Sequence, residues 1–305
     1  MSVLPPHLPG TASAGPAAGR RRTSPRAQLS ALCYLLVGTL LAMLFLFPML
    51  YILLRSFLPT SADVDGVGLA SLQNLTLENY AVILEPSVGL TRYARNSAII
   101  ALGVALGVGV VATLAGYALS RIRFRYSSLV FVILLAPLVV PYQGLLTPLS
   151  IILGALGLLD SITGVVLVLI TLQLPFSVFV MRNTFDGIPA ELEEAAALDG
   201  AGTLPLLRRV MIPLALPGIV TIALFGFMAG WNDLLSSIVF LSSQEKYTLP
   251  IALTDITTSF QIPGVQIIDP GLLTATACVA IAPVVVIFLV LQRHYTKGLI
   301  GGAIK

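Results

Sequence analysis

Six predominantly apolar blocks, each at least twenty positions long, constrain this chain more than any other feature: 29–54, 97–119, 127–153, 162–181, 217–241 and 272–291. About 20 apolar residues in a helix cross the roughly 30 Å hydrocarbon core of a bilayer. Only 10% of the residues are charged, where a soluble domain has about 25%, so the polar residues are too few to cover a globular surface. The predicted fold class is an all-α membrane protein with six transmembrane helices.

Residues 1–28 are rich in Pro, Gly, Ala and Ser, with Arg20, Arg21, Arg22 and Arg26. That composition cannot bury a core and predicts a disordered basic tail. The apolar block behind it is too long for a signal peptide, whose apolar region covers about 7–15 residues. It reads as an uncleaved first span. The organisation is then a tail over 1–28, a six-span domain over 29–291 and a C-terminal tail over 292–305.

Basic residues mark the cytoplasmic side of a membrane protein. Alternating the segments between spans gives thirteen basic residues on the side of both termini, against four (Arg55, Arg92, Arg95 and Lys246) on the other. Both termini are therefore expected in the cytoplasm. The net charge of +3 reports topology, and no nucleic-acid partner is expected.

The third block holds Pro137, Pro141 and Pro148 and predicts a kinked or partly unwound span. Such breaks are tolerated only against protein or a water-lined cavity. Gly103 and Gly107 form a GxxxG step that predicts close helix packing. Cys33 and Cys278 read as buried packing residues, and two histidines (His7 and His294) make no metal cluster or catalytic triad.

Between the fourth and fifth blocks lies a long cytoplasmic loop, about 182–216, reading RNTFDGIPAELEEAAALDGAGTLPLLRRVMIP. Pro189 suits a first helical position, and Glu191, Glu193 and Glu194 suit the positive end of a helix dipole. Gly200 and Gly202 break that helix. Thr203 is expected to cap a second one, with Pro205 in its first turn and its end at Pro213. By pattern alone, this is equally a solvated structural loop.

Glu194-Ala195-Ala196, Gly200 after three residues, and Val210-Met211-Ile212-Pro213 after nine more resemble the EAA motif of ABC-importer permeases. Val210 and Ile212 stand where that family usually has Ile and Leu. ENYAVIL, RNS, YALSRIRFR, WND, YTLP and the closing QRHYTKGLIGGAIK extend the likeness from about residue 30 onward. They resemble the smaller six-span permease of maltose-type carbohydrate importers. The resemblance implies a type I ABC importer permease fold in the bacterial plasma (inner) membrane. It further implies a second permease, two ATPase subunits carrying ATP and Mg, and an extracytoplasmic sugar-binding protein as partners. Glu194, Ala195, Ala196, Asp199, Gly200 and Pro213 are the expected ATPase-coupling residues.

No Gly-x4-Gly-Lys-Ser/Thr loop occurs, since none of the three lysines follows a glycine. ATP hydrolysis is expected from another polypeptide, with no cofactor on this chain and no enzymatic activity of its own. Polar residues within or beside the apolar blocks have two readings. Gln143, Gln173, Asn232 and Asp233 line a sugar path, or they tie helices and partner together; Thr147 and Ser236 share the ambiguity. Trp231 likewise stacks on a sugar ring or packs. The outer loop at 242–271 is, by resemblance, a contact for the binding protein; a plain connector fits its composition equally. A non-sugar ABC permease, for instance for a glycerol phosphodiester, is the nearest alternative. Behind it come an ion-coupled secondary transporter, which would normally show paired intramembrane carboxylates, and a purely structural membrane protein.

Overall fold

The computed structural model describes residues 25–59, 73–85, 88–122, 124–259, 261–262, 265–266 and 270–302. Most of the 1–28 tail lies outside them, as do Arg123 and the last three residues. Two compact units divide the chain after Leu50. The first consists, among its described residues, of most of helix α1 (Pro25–Ser56). From Leu32 to Leu50 every side chain of α1 is exposed, including Cys33, which is not the buried packing residue expected.

The second unit is built on three long helices, α3 (Leu90–Arg121), α6 (Ile162–Asp186) and α9 (Ile212–Trp231). Ile100, Val104, Val108 and Ala112 recur every fourth residue on α3 and are fully buried. They pack with Val165, Val178 and Met181 of α6 and with Ala215 and Ile222 of α9. Between helices in lipid the hydrophobic effect gives little, so close approach through small residues carries the packing. Gly103 and Gly107 face Val166 and Ile170 of α6, as the GxxxG step predicts. Gly226 and Gly230 of α9 lie against the α3 backbone at Ala105 and Ala101.

The third apolar block is broken, as its prolines predict. Helix α4 (Ser127–Leu135) passes through a 3-10 turn at Ala136–Val139, then a second at Tyr142–Leu145, into α5 (Leu146–Ala155). The two arms bend by 96°. Among the described residues five helices are long and apolar enough to cross a membrane, six if this bent pair counts as one span.

Around the second helix of the 182–216 loop the structure differs from expectation. Helix α8 (Thr203–Leu206) is capped by Gly202, not Thr203. Nor does the helix end at Pro213: a π turn over Leu207–Met211 carries it into α9. Proline has no N–H and its ring crowds the carbonyl four residues back; the wider π turn just ahead relieves that crowding. The fifth span therefore starts at Thr203 and ends at Trp231. Asn232 and Asp233 break the chain before the short helix α10 (Leu235–Phe240).

Several quoted motifs prove to be mutual ties near the start of α3, whose other end meets the 182–216 loop. Helix α2 (Glu78–Leu84) starts with the Glu78 N–H donating to Thr76 Oγ1 at 3.1 Å. Its Asn79 donates to the carbonyls of Ser56 and Leu58. Asn96 donates to the Glu245 and Tyr247 carbonyls, and Ser97 Oγ accepts the Leu249 N–H. These bonds hold the start of α11 (Leu249–Ser259) against α3. A short hairpin, β1 (Gln261–Ile262) and β2 (Val265–Gln266), follows, and α12 (Pro270–Gly302) closes the fold.

Candidate functional site

Two places gather the residues singled out by sequence. The first is α7 (Glu191–Leu198), which leads into α8. Pro189 lies two residues ahead of it rather than inside. The helix closes with the Ala201 N–H on the Ala196 carbonyl and the Gly200 N–H on the Ala197 carbonyl. Gly200 has φ +81°. This pair of bonds around a left-handed residue is a Schellman closure. It explains the glycine physically: a Cβ at Gly200 would meet nothing within 4 Å, so backbone handedness alone selects it.

The two glutamates beside the alanines part company. Glu194, Ala195 and Asp199 are exposed, Ala196 is half-buried, and Leu198 is 90% exposed. Glu193 instead turns inward, with Oε1 at 2.7 Å from Arg121 Nε. The contact is an ion pair whose N–H is poorly aligned for a hydrogen bond. Pro213 stands apart from α7, exposed at the start of α9. Sequence reasoning missed Arg121 and Glu193. The available signal was an arginine closing an apolar span in YALSRIRFR.

The second place is a cleft of about 720 Å³ between the bent 127–155 segment, α6 and the α9–α10 break. Its walls are mostly apolar, with Tyr142, Thr171, Gln173, Asn232 and Asp233 supplying polarity. Three of the four path candidates meet here. Gln143 does not: it is exposed and does not line the cleft. Gln173 makes no side-chain hydrogen bond among the described residues, while Asn232 Nδ2 donates to the Met228 carbonyl at 3.0 Å.

Asp233 is buried and fully engaged. Its carboxylate accepts from the Ser236 N–H at 3.3 Å and from the Ser237 N–H and hydroxyl at 2.8 Å each. It opens α10 as a cap does. Trp231 also packs: its ring stacks on Phe227 and its Nε1–H donates to the Ala280 carbonyl at 2.9 Å. The sugar-stacking reading of Trp231 is overturned by that burial.

Residues 105–301 match the family described as binding-protein-dependent transport system inner membrane component. The chain belongs to that family. This permease is 34% identical over 260 residues to the trehalose transport system permease protein SugB of Mycobacterium tuberculosis, covering 85% of this chain and 92% of that one. It is 30% identical over 285 residues to the maltodextrin transport system permease protein MdxG of Bacillus subtilis, covering 91% and 97%. In fold the permease is similar to a crystal structure of a bacterial ABC transporter involved in the import of the acidic polysaccharide alginate. The TM-score is 0.74 at 24% identity, over 89% of this chain and 98% of that chain.

Proposed function

We propose that this permease carries a neutral sugar, of di- or oligosaccharide size, into the cytoplasm by alternating access. In this reading it forms half of a channel in the bacterial plasma membrane, with both termini cytoplasmic, and a second permease forms the other half. Two copies of a separate ATPase bind ATP and Mg and drive the cycle, and an extracytoplasmic binding protein delivers the solute. Glu194, Ala195 and Ala196 are the residues of α7 that meet the ATPase. Gly200 sets the end of that helix, while Asp199 and Pro213 flank the turn and the entry to α9.

The observation that carries the reading is the cleft. Backbone leaves regular α-helix on two sides of it, at 136–145 and at 232–234. Irregular backbone at membrane depth is tolerated where it lines a water-filled cavity or is covered by protein. Sugar hydroxyls need several neutral donors and acceptors, which Tyr142, Thr171, Gln173 and Asn232 offer. The names of the trehalose and maltodextrin relatives support the same solute class. Among the described residues no lysine, arginine or histidine lines the cleft, which disfavours a phosphodiester. The capping bonds on Asp233 disfavour a free proton-carrying carboxylate.

The test is uptake of labelled oligosaccharides into proteoliposomes holding both permeases and the ATPase. Sugar uptake that requires ATP and binding protein is the expected result, with Gln173→Ala and Asn232→Ala raising the solute KM. Uptake driven by a proton or sodium gradient without ATP would overturn it.

A further inference from the structure

We infer that Arg121 is a positioning residue that ties the end of α3 to the first turn of α7, so that α7 moves with the helices around the cleft. The inference rests on the reading above that α7 meets an ATPase.

Arg121 is the last residue of α3. Its Nη2 donates to the Phe185 carbonyl at 2.7 Å and the Ile188 carbonyl at 2.6 Å, while Nε faces Glu193. One guanidinium thus joins the end of α6, the link beyond it and α7. The last carbonyls of a helix have no partner within it, and Arg121 supplies one. A planar fork with five donors reaches two carbonyls and faces the Glu193 carboxylate at once, whereas a lysine ammonium is a single point.

The surroundings favour a defined geometry. The Arg121 and Glu193 side chains are 17% and 20% exposed, so the pair is screened less than a surface one. Tyr117 meets Phe185 edge-on at 5.5 Å beneath it, and Ser120 Oγ bonds Asp186 beside it. The link leads onward to the cleft, because α3 packs against both α6 and α9 through Gly107 and Gly230, and both of those helices line it. Glu194, by contrast, makes no ion pair among the described residues. Neighbouring glutamates therefore divide the work: Glu193 holds α7 from within, and Glu194 is left for the partner.

The test uses the full importer in proteoliposomes with Arg121→Lys, Glu193→Gln and the double variant. The readout is solute moved per ATP hydrolysed, with melting temperature and ATPase retention measured alongside. Each single variant is expected to lower that ratio about fivefold or more. The double should be no worse than the poorer single, because both remove one link. Unchanged ratios in the variants, beside a wild-type importer that couples normally, would overturn the tether, as would losses that only follow melting temperature or ATPase retention. A wild-type chain that supports no ATP-driven uptake would overturn the transport reading itself, and the tether with it.

Discussion

Asp233 and Ser237 meet through two hydrogen bonds of 2.8 Å, one from the serine N–H and one from its hydroxyl, both to Oδ2. This contact starts α10 where α9 has stopped, and so shapes one wall of the cleft without offering a free charge to it. A hydrogen bond to a charged group contributes about 1.5–3 kcal/mol. Asp233→Ala should therefore lower the melting temperature in detergent clearly, and Asp233→Asn, which keeps an acceptor, by less. Normal stability with lost transport in Asp233→Ala would instead make Asp233 a solute ligand.

Gly230 and Gly107 both sit at close helix contacts, but their neighbours differ. A Cβ at Gly230 would lie 2.7 Å from Ala101 Cα, which is backbone. At Gly107 it would meet Ile170, including Cγ1 at 2.9 Å, a side chain that can turn away. Overpacking costs about 1–3 kcal/mol. Gly230→Ala should reach the top of that range or fail to accumulate, while Gly107→Ala should purify with a modest drop in melting temperature. Equal loss in both would contradict the α3–α9 register.

Gly200→Ala places a side chain in open space but in the left-handed region, at about 1–2 kcal/mol. The expected loss is local. Amide exchange over 196–201 should accelerate and ATPase stimulation should fall, while the global melting temperature changes little. Unaltered exchange there would remove the Schellman closure as the reason for this glycine.

Asp160 joins the α5–α6 link to the segment after α10. Lys246 Nζ lies 2.8 Å from Oδ2, the Ser243 hydroxyl donates to the same oxygen, and the Ser242 and Ser243 N–H groups donate to Oδ1. Lys246 first, and then these donors, hold the carboxyl well below the usual carboxylate range. A lowered folded-state pKa stabilises above the unfolded value of about 3.9 and is lost as pH falls through the folded one. Asp160→Asn should melt lower than wild type by a constant margin from pH 8 to 5, narrowing below about 4. Asparagine tolerates the φ of 52° at this position, so the variant leaves the turn intact while removing the charge and one acceptor oxygen. A margin that narrows already near pH 6 would point to a different titrating group.

Much of the candidate site was legible in local pattern. The proline spacing at 137, 141 and 148 implied the broken span, and Glu191–Leu198 implied a short acidic helix ended by Gly200. What stayed hidden involved distant partners. The EAA pattern singled out Glu194, but nothing local marked Glu193, whose inward role is set by Arg121, some seventy residues earlier in the chain. Gln143 looked as suitable for the cleft as Gln173, yet the 3-10 turn at Tyr142–Leu145 brings its neighbour Tyr142 into the lining instead.

The sequence by itself determined that this chain crosses a membrane about six times and carries the EAA pattern. Hydrophobic length and turn chemistry are local properties, read over a few tens of residues. The tertiary structure alone decided that Asp233 caps a helix, that Trp231 packs, and that α8 runs through a π turn into α9. Those outcomes depend on which neighbour satisfies each buried polar group, and such neighbours come together only when the helices pack.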